Sequence, residues 1–397
     1  MTFLRRHFPI WFLLAGACLP LARVLLDPTG VLPGTEASDV YKHAWGFWHT
    51  LALIRDGTWP NSSFLNAPDG GVLMDVMLLP SLMLAPVTLI GGPVLAANIW
   101  VILCLLAVGA ATYALGKELT GSRIGALCAG RLVQGCPFIL GYGLTSGVHE
   151  RLGLWIFPFL LVGMLRVRSG KGARWPVLMA GATFLVASQC PTFGVFIGLQ
   201  FLLALPVLFW KPGALQRRRL LMSVLACSGA GAALLAAYLM SVWFLSQPNY
   251  LAALSQVRVE PTFGVGAWSP DFPRVVATPG DLLSPWTVGA SQPDRHDDEL
   301  YKLVYVGWVF LVAMVAGAVS LWRRHRLMPV GVAVIALIFF VMSLGPEVGL
   351  GGEYWLPNPV YRLVSAVVPF VGAVPHAWEM AGMGIVLSSV LVAGLVA

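Results

Sequence analysis

The sequence predicts an all-α polytopic membrane protein with about ten transmembrane helices. Three observations predict it. The 397 residues are 58% hydrophobic and only 11% charged, where soluble domains carry about 25% charged residues. Mean hydropathy is +0.79. Apolar runs near the length of a bilayer crossing recur along the whole chain. The net charge of +7 does not point to nucleic acid, because the basic residues sit in short clusters between apolar runs, which is a topology signal.

In chain order the expected spans are roughly Phe8–Leu26, Val94–Leu115, Ile124–Gly143, Leu152–Leu165, Trp175–Gln189, Thr192–Trp210, Leu220–Leu245, Val304–Trp322, Met328–Leu344 and Ala377–Ala397. The N-terminal stretch has the basic start and apolar run of a signal peptide. Its apolar run continues to Leu26, so an uncleaved first helix is expected. The fourth and fifth spans are short and need snorkelling ends or a thinned bilayer. All six cysteines fall within or beside apolar runs and none forms a CxxC spacing, so core packing is expected rather than disulfides or zinc.

Val76–Ile90 is an eleventh apolar piece, but it is short and holds two prolines, which weaken a helix. Charge decides its topology. If it does not cross, fifteen of the 25 basic residues fall in five inside segments with Glu118 the only acid among them. If it crosses, four basic clusters face outward, against the positive-inside bias. The segment is therefore expected to be re-entrant or surface-lying on the outer face. One transmembrane domain then spans 1–397, with both termini cytoplasmic. Its large outer loops are residues 27–93, 246–303 and 345–376.

The first outer loop is unusually polar for its place. Asp39 opens VYKHAWGFWHTLALI, whose apolar positions Val40, Trp45, Trp48, Leu51 and Ile54 recur at helical spacing. That suits a helix along the membrane surface, ended by Gly57 and Pro60. A partly desolvated carboxylate at the mouth of such a helix can gain base strength. The structural alternative is an N-cap by Ser38 or Asp39. His149, Glu150 and Arg151 form a charged triplet between the third and fourth spans. They read either as functional groups or as a solvated turn with a helix-starting Glu. Asp69 reads as turn chemistry, and Asp75 as a cap or a site neighbour. Arg258 follows a span near headgroup depth and could clamp a phosphate. Arg131 lies within a span, where a long stem can snorkel, and reads as structural; Glu379, near the outer end of the last span, stays open between structural and functional roles. DRHDDE, Asp294–Glu299, has metal-ligand residue types without a recognised spacing.

Several short motifs follow in order: HAW at His43–Trp45, APDGG at Ala67–Gly71, LIGGPVLAANIW at Leu89–Trp100, KELTGSR at Lys117–Arg123 and HERLGLWIFPF at His149–Phe159. TPGDLLSPW (Thr278–Trp286), SLGP (Ser343–Pro346) and LPNPVYRLVSAVVPF (Leu356–Phe370) come later. In this order the chain resembles the GT-C superfamily, integral membrane glycosyltransferases that use polyprenyl-phosphate sugars. The superfamily includes protein O-mannosyltransferases and lipid A aminoarabinose transferases; the nearer resemblance is to bacterial GT-C-like membrane proteins. Where those tend to have R-x-P-x-R-F before the last span, this chain has VPHAWEM (Val374–Met380), which puts an anion-binding arginine there in doubt.

The resemblance implies transfer of a sugar from a polyprenyl-phosphate donor to a glycan, lipid or protein acceptor at the outer face of a bacterial inner membrane. It implies Asp39 as general base, with His149 and Glu150 as further catalytic candidates. Lys42, His43, Asp75, Arg151 and Arg258 are the substrate-binding candidates. Membrane lipids are expected partners and nucleic acid is not. No cofactor or metal ligand is predicted, and a divalent metal stays open. Two other classes stay open as well: a non-catalytic GT-C-like subunit of a membrane assembly, and a lipid or sugar transporter. A transporter predicts paired broken helices in two matching halves, which the sequence does not show.

Overall fold

The computed structural model describes residues 2–34, 40–58, 61–62, 71–72, 77–145, 147–171, 174–209, 213–245, 308–323, 327–345, 347–350, 353–368, 371 and 379–395. The chain is built of helices: α1 (Thr2–Cys18), α2 (Ala22–Leu26), α3 (Val40–Arg55), α4 (Leu78–Met83), α5 (Ala85–Thr120), α6 (Arg123–Gln134), α7 (Ile156–Arg168), α8 (Trp175–Gln189), α9 (Pro191–Leu208) and α10 (Ala214–Leu245) come first. Then follow α11 (Trp308–Arg323), α12 (Leu327–Ser343), α13 (Pro359–Val367) and α14 (Met380–Val392). Two small antiparallel hairpins decorate the loops. Strand β1 (Asn61–Ser62) pairs with β2 (Gly71–Val72), and β3 (Glu347–Leu350) with β4 (Glu353–Pro357).

Among the described residues, three helical stretches are long and apolar enough to cross a membrane: His7–Leu26, Ala85–Thr120 and Arg123–Thr145. Five shorter apolar helices accompany them: Trp175–Gln189, Thr192–Pro206, Val312–Arg323, Met328–Ser343 and Met380–Leu395. The last helix, α14, is buried along its whole length against α5, α6, α11 and α12. A helix that is apolar all round belongs in such a central position.

The expected eleventh piece is interrupted by helix breaks. Val76–Ile90 contains the six-residue α4 and the first turns of α5. Gly92, at φ 84 and ψ 171, kinks α5 immediately before Pro93. At about 1.5 Å per residue, neither short piece spans a hydrocarbon core of about 30 Å. The third expected span is also broken. α6 ends at Gln134, Pro137 follows, and the chain resumes as a π-helix at Phe138–Thr145; proline cannot supply the missing backbone hydrogen bond. The fourth expected span begins as a 3₁₀ turn, His149–Trp155, before α7.

Several quoted motifs are turn and stitch chemistry. In KELTGSR, Gly121 closes α5 at φ 76, a left-handed cap suited to glycine. The Ser122 hydroxyl oxygen then caps α6 by accepting the Gly125 N–H at 3.1 Å. Asn98 of LIGGPVLAANIW donates to the carbonyls of Pro28 and Val31, both at 2.8 Å, so the start of the first loop is fastened onto α5. Asn358 accepts from Tyr361 N and donates to the carbonyls of Val341 and Gly345. That ties LPNPVYR to SLGP.

The helix ends sort into two groups. Glu118 at the end of α5 pairs with Arg166 near the end of α7, Nε to Oε1 2.7 Å. Arg123 starts α6 beside them. This is the basic end of the bundle. The π-helix, the 3₁₀ turn, the end of α8 and the start of α14 gather at the opposite end, with α3 packed against them.

Candidate functional site

Helix α3 positions the first half of the site. Its bounds match the sequence expectation. The buried side holds Val40, His43, Ala44, Phe47, His49, Thr50 and Leu53, packed on α5 and α4. Trp48 and Ile54, expected in the membrane-facing stripe with Val40, are 45% and 42% exposed. The protein covers the side that carries His43, His49 and Thr50 and leaves Trp48 and Ile54 uncovered, where a membrane-facing stripe belongs.

The second half is the 3₁₀ turn. Gln189, buried at the end of α8, donates its amide to the carbonyls of His149 at 3.1 Å and Glu150 at 3.0 Å. These two bonds fix the turn from below. The charged triplet is thus not a solvated turn: His149 and Glu150 are buried, and the Arg151 side chain is 13% exposed.

The two halves meet through Glu150. Its Oε2 lies 2.6 Å from His43 Nε2, and its Oε1 lies 3.7 Å from Lys42 Nζ. The contact is a close imidazole–carboxylate approach, with no hydrogen bond assigned to His43 Nε2 among the described residues. His43 Nδ1 likewise has no hydrogen-bond partner among the described residues. Burial opposes ionisation of Glu150, but His43, Lys42 and Arg151 outweigh it and hold the carboxyl well below the usual range. A carboxylate held that low is a fixed charge rather than a proton acceptor.

His149 stacks on His43 with ring centroids 5.2 Å apart. Its Nε2 is 3.0 Å from the Pro33 carbonyl. A carbonyl only accepts, so Nε2 carries the proton and Nδ1 is bare. Burial, with His43 adding to it, pushes His149 down to about 3, so the ring is neutral near pH 7.

Arg151 turns away from Glu150 toward the start of α14. One terminal nitrogen is 3.0 Å from Glu379 Oε1. The other donates to the Cys190 sulfur. The guanidinium also sits over the Phe193 ring at 5.9 Å. Glu379 Oε1 further accepts from the Tyr142 hydroxyl at 2.8 Å. Desolvation opposes the Arg151 charge, but the Cys190 sulfur, Glu379, Tyr142 and Glu150 together outweigh it and hold its pKa above the usual value.

Five of the eight expected site residues therefore come together: Lys42, His43, His149, Glu150 and Arg151. Asp39, Asp75 and Arg258 lie outside the described residues, as does Asp294–Glu299. Asp39 directly precedes Val40, the first residue of α3. Arg131, half-buried in α6, lies away from this cluster, with its stem beside Gly16 of α1. Among the described residues no group of three or more His, Cys, Asp or Glu side chains is placed to hold a metal.

Sequence reasoning left Glu379 open and missed Tyr142, Gln189 and Cys190. The signal for Glu379 was a lone carboxylate entering an apolar run. Tyr142, Gln189 and Cys190 carry no such signal, being ordinary residues in apolar helices.

Chemically, the cluster alternates charge: Lys42, Glu150, Arg151, Glu379. Lys42, 35% exposed at its side chain, is the accessible member, while His43 and Glu379 are 2% and 1% exposed. The arrangement presents one accessible ammonium over a buried, neutralised base. Comparison with protein-family models finds no match for this chain, and comparison with curated protein sequences finds none either.

Proposed function

We propose that this chain is a GT-C-type glycosyltransferase. It has ten spans, both termini in the cytoplasm, and its site at the outer face of a bacterial inner membrane. One observation carries the reading. The helix of the first large loop and the loop between the third and fourth expected spans form a single buried ionic junction, at the bundle end opposite the Glu118–Arg166 pair. Two loops far apart in sequence converge where a donor with a long isoprenoid tail can arrive sideways from the bilayer.

In this reading the acceptor hydroxyl attacks the anomeric carbon of a polyprenyl-phosphate sugar. The new glycosidic bond forms as the bond from the anomeric carbon to the phosphate oxygen breaks. The hydroxyl proton passes to Asp39, and polyprenyl phosphate leaves. Lys42, three residues beyond Asp39 on the first turn of α3, is the cation for the developing phosphate charge. Glu150 and His43 hold that turn in place. Neutral His149 braces the start of the first loop through Pro33. Glu150 is a positioning charge, since its carboxyl is too acidic to serve as base.

The test is transfer from radiolabelled polyprenyl-phosphate sugars by the purified protein, wild type against Asp39→Asn. Loss of a general base lowers turnover by about 10²–10⁴-fold. Equal transfer by both proteins removes Asp39 from the mechanism. No transfer by the wild type over a broad donor and acceptor panel rejects catalysis and leaves a non-catalytic subunit.

A further inference from the structure

We propose that Glu379, at the entrance to the last helix, is a positioning residue of this site: it holds the Arg151 guanidinium away from the substrate and fixes the charge behind Glu150. The inference rests on the glycosyl-transfer reading. It assigns a part to the last helix, which neither motif spacing nor the expected roles of the outer loops had given one.

The geometry carries it. Glu379 is 1% exposed and opens a helix buried throughout. A carboxylate there is costly unless paired, and an apolar residue would pack at lower cost. Its Oε1 is engaged twice, by Arg151 at 3.0 Å and by the Tyr142 hydroxyl at 2.8 Å. Arg151 is then held from three sides: by Glu379, by the Cys190 sulfur and by the Phe193 ring. One hydrogen of each terminal nitrogen is committed, and with the side chain 13% exposed the guanidinium is turned into the protein rather than toward a phosphate. The phosphate-facing cation is left to Lys42, whose own partner, Glu150, is the residue bonded to Arg151 in the chain. Gln189 holds the carbonyl between those two neighbours.

Without the Glu379 charge, Arg151 becomes an uncompensated buried cation. The nearest carboxylate left to it is Glu150, and capturing it would strip Lys42 and His43 of their shared partner. Lys42 would keep its charge, but the Glu150 contacts that orient it at the start of α3 would be lost. The charged and titratable groups facing this point are Tyr142 on the π-helix, Glu150 and Arg151 on the 3₁₀ turn, Cys190 at the start of α9, and Lys42 and His43 on α3.

The experiment uses the full chain reconstituted in phosphatidylethanolamine–phosphatidylglycerol vesicles and a polyprenyl-phosphate hexose that the wild type transfers. Glu379→Gln keeps the shape and removes the charge. It is expected to lower kcat at least about tenfold with KM for the donor changed less than about twofold. It should also move the acid limb of the pH–rate profile downward, because removing a negative charge lowers the pKa of any carboxyl coupled to this junction. Glu379→Asp is expected to recover part of the rate. Wild-type kcat with an unmoved pH limb in Glu379→Gln overturns the proposal, as does a loss that only tracks the folded fraction. If the wild type transfers nothing, the glycosyl-transfer reading falls, and the contact is judged by thermal unfolding of Arg151→Met, Glu379→Leu and the double variant. A double variant melting well above the value expected from adding the two single losses supports the Glu379–Arg151 pairing. Additive losses overturn it.

Discussion

Two regions bury polar side chains, and they do so with different chemistry. Between α1, α5 and α6, the buried amide of Gln134 donates to the carbonyls of Leu13 at 3.0 Å and Leu105 at 2.9 Å. Asn98, Gln200 and Asn358 repeat the pattern, each donating its amide to backbone carbonyls. These stitches are neutral and fasten helices, or the loops beside them, to backbone carbonyls. The junction of α3, the 3₁₀ turn and α14 instead buries Glu150, Arg151 and Glu379. Several of its polar atoms, including Arg151 Nε, Glu379 Oε2 and His149 Nδ1, have no hydrogen-bond partner among the described residues. A buried ion pair adds little stability over an apolar replacement. The contrast teaches that the neutral stitches build the bundle, while the charges at the junction act mainly on one another.

The sharpest way to break this comparison is to remove one charge. Arg151→Met leaves Glu379 buried without its cation. Losing one partner of such a pair costs about 3–5 kcal/mol, so the detergent-solubilised variant is expected to unfold far below the wild type. If Arg151→Met melts within a degree or two of the wild type, the junction is not held by charge and the contrast fails.

Acid gives the next largest effect. The folded pKa of His149, about 3, lies below its unfolded value of 6.5. A depressed pKa contributes stability that is complete above pH 6.5 and is lost as pH falls from there toward 3. The slope in that window is about 1.4 kcal/mol per pH unit for one proton. Glu150, held below its usual 4.5, acts in the same direction but only below about pH 4.5. His49, also lowered by burial, contributes in the His149 window. Urea midpoints at pH 7.5, 6.0 and 5.0 should therefore fall, and His149→Gln should reduce the slope without abolishing it. Equal midpoints at all three pH values would show that His149 takes up its proton freely in the folded state.

How far the sequence foretold this arrangement depends on whether the relevant partner lay nearby in the chain. α8 has the expected bounds, Trp175–Gln189, and α3 runs one residue past expectation, because apolar periodicity and local breakers such as Gly57 set them. The His149–Arg151 triplet stood out because charge in an apolar stretch needs a reason. The break after α6 was written in Pro137, but the run around it reads as continuous. The buried face of α3 could not be read from its pattern. His43, His49 and Thr50 count as polar, and only the groups opposite them turn that side inward. Glu379 meets Tyr142 across 237 residues, a distance no local pattern spans.

The smallest effect is expected in the stitches, and it tests the other half of the comparison. Gln134→Met keeps an unbranched side chain of similar length in a tight place. The space is bounded by Gly16 and Gly109, where an added Cβ would run into the Gln134 amide. The two amide hydrogen bonds are lost, but both acceptors are helical carbonyls that keep their own backbone donors. Gln134 Oε1, which has no hydrogen-bond partner among the described residues, is removed along with them. A net neutral hydrogen bond contributes about 0.5–1.5 kcal/mol, and replacing a polar group without stranding its partners is often close to neutral. The loss in thermal unfolding should therefore stay near or below about 1 kcal/mol, several times smaller than that of Arg151→Met. A Gln134→Met loss as large as the arginine loss would mean that neutral stitches and buried charges bear the bundle alike. Stability alone would then explain the junction, without appeal to a reaction.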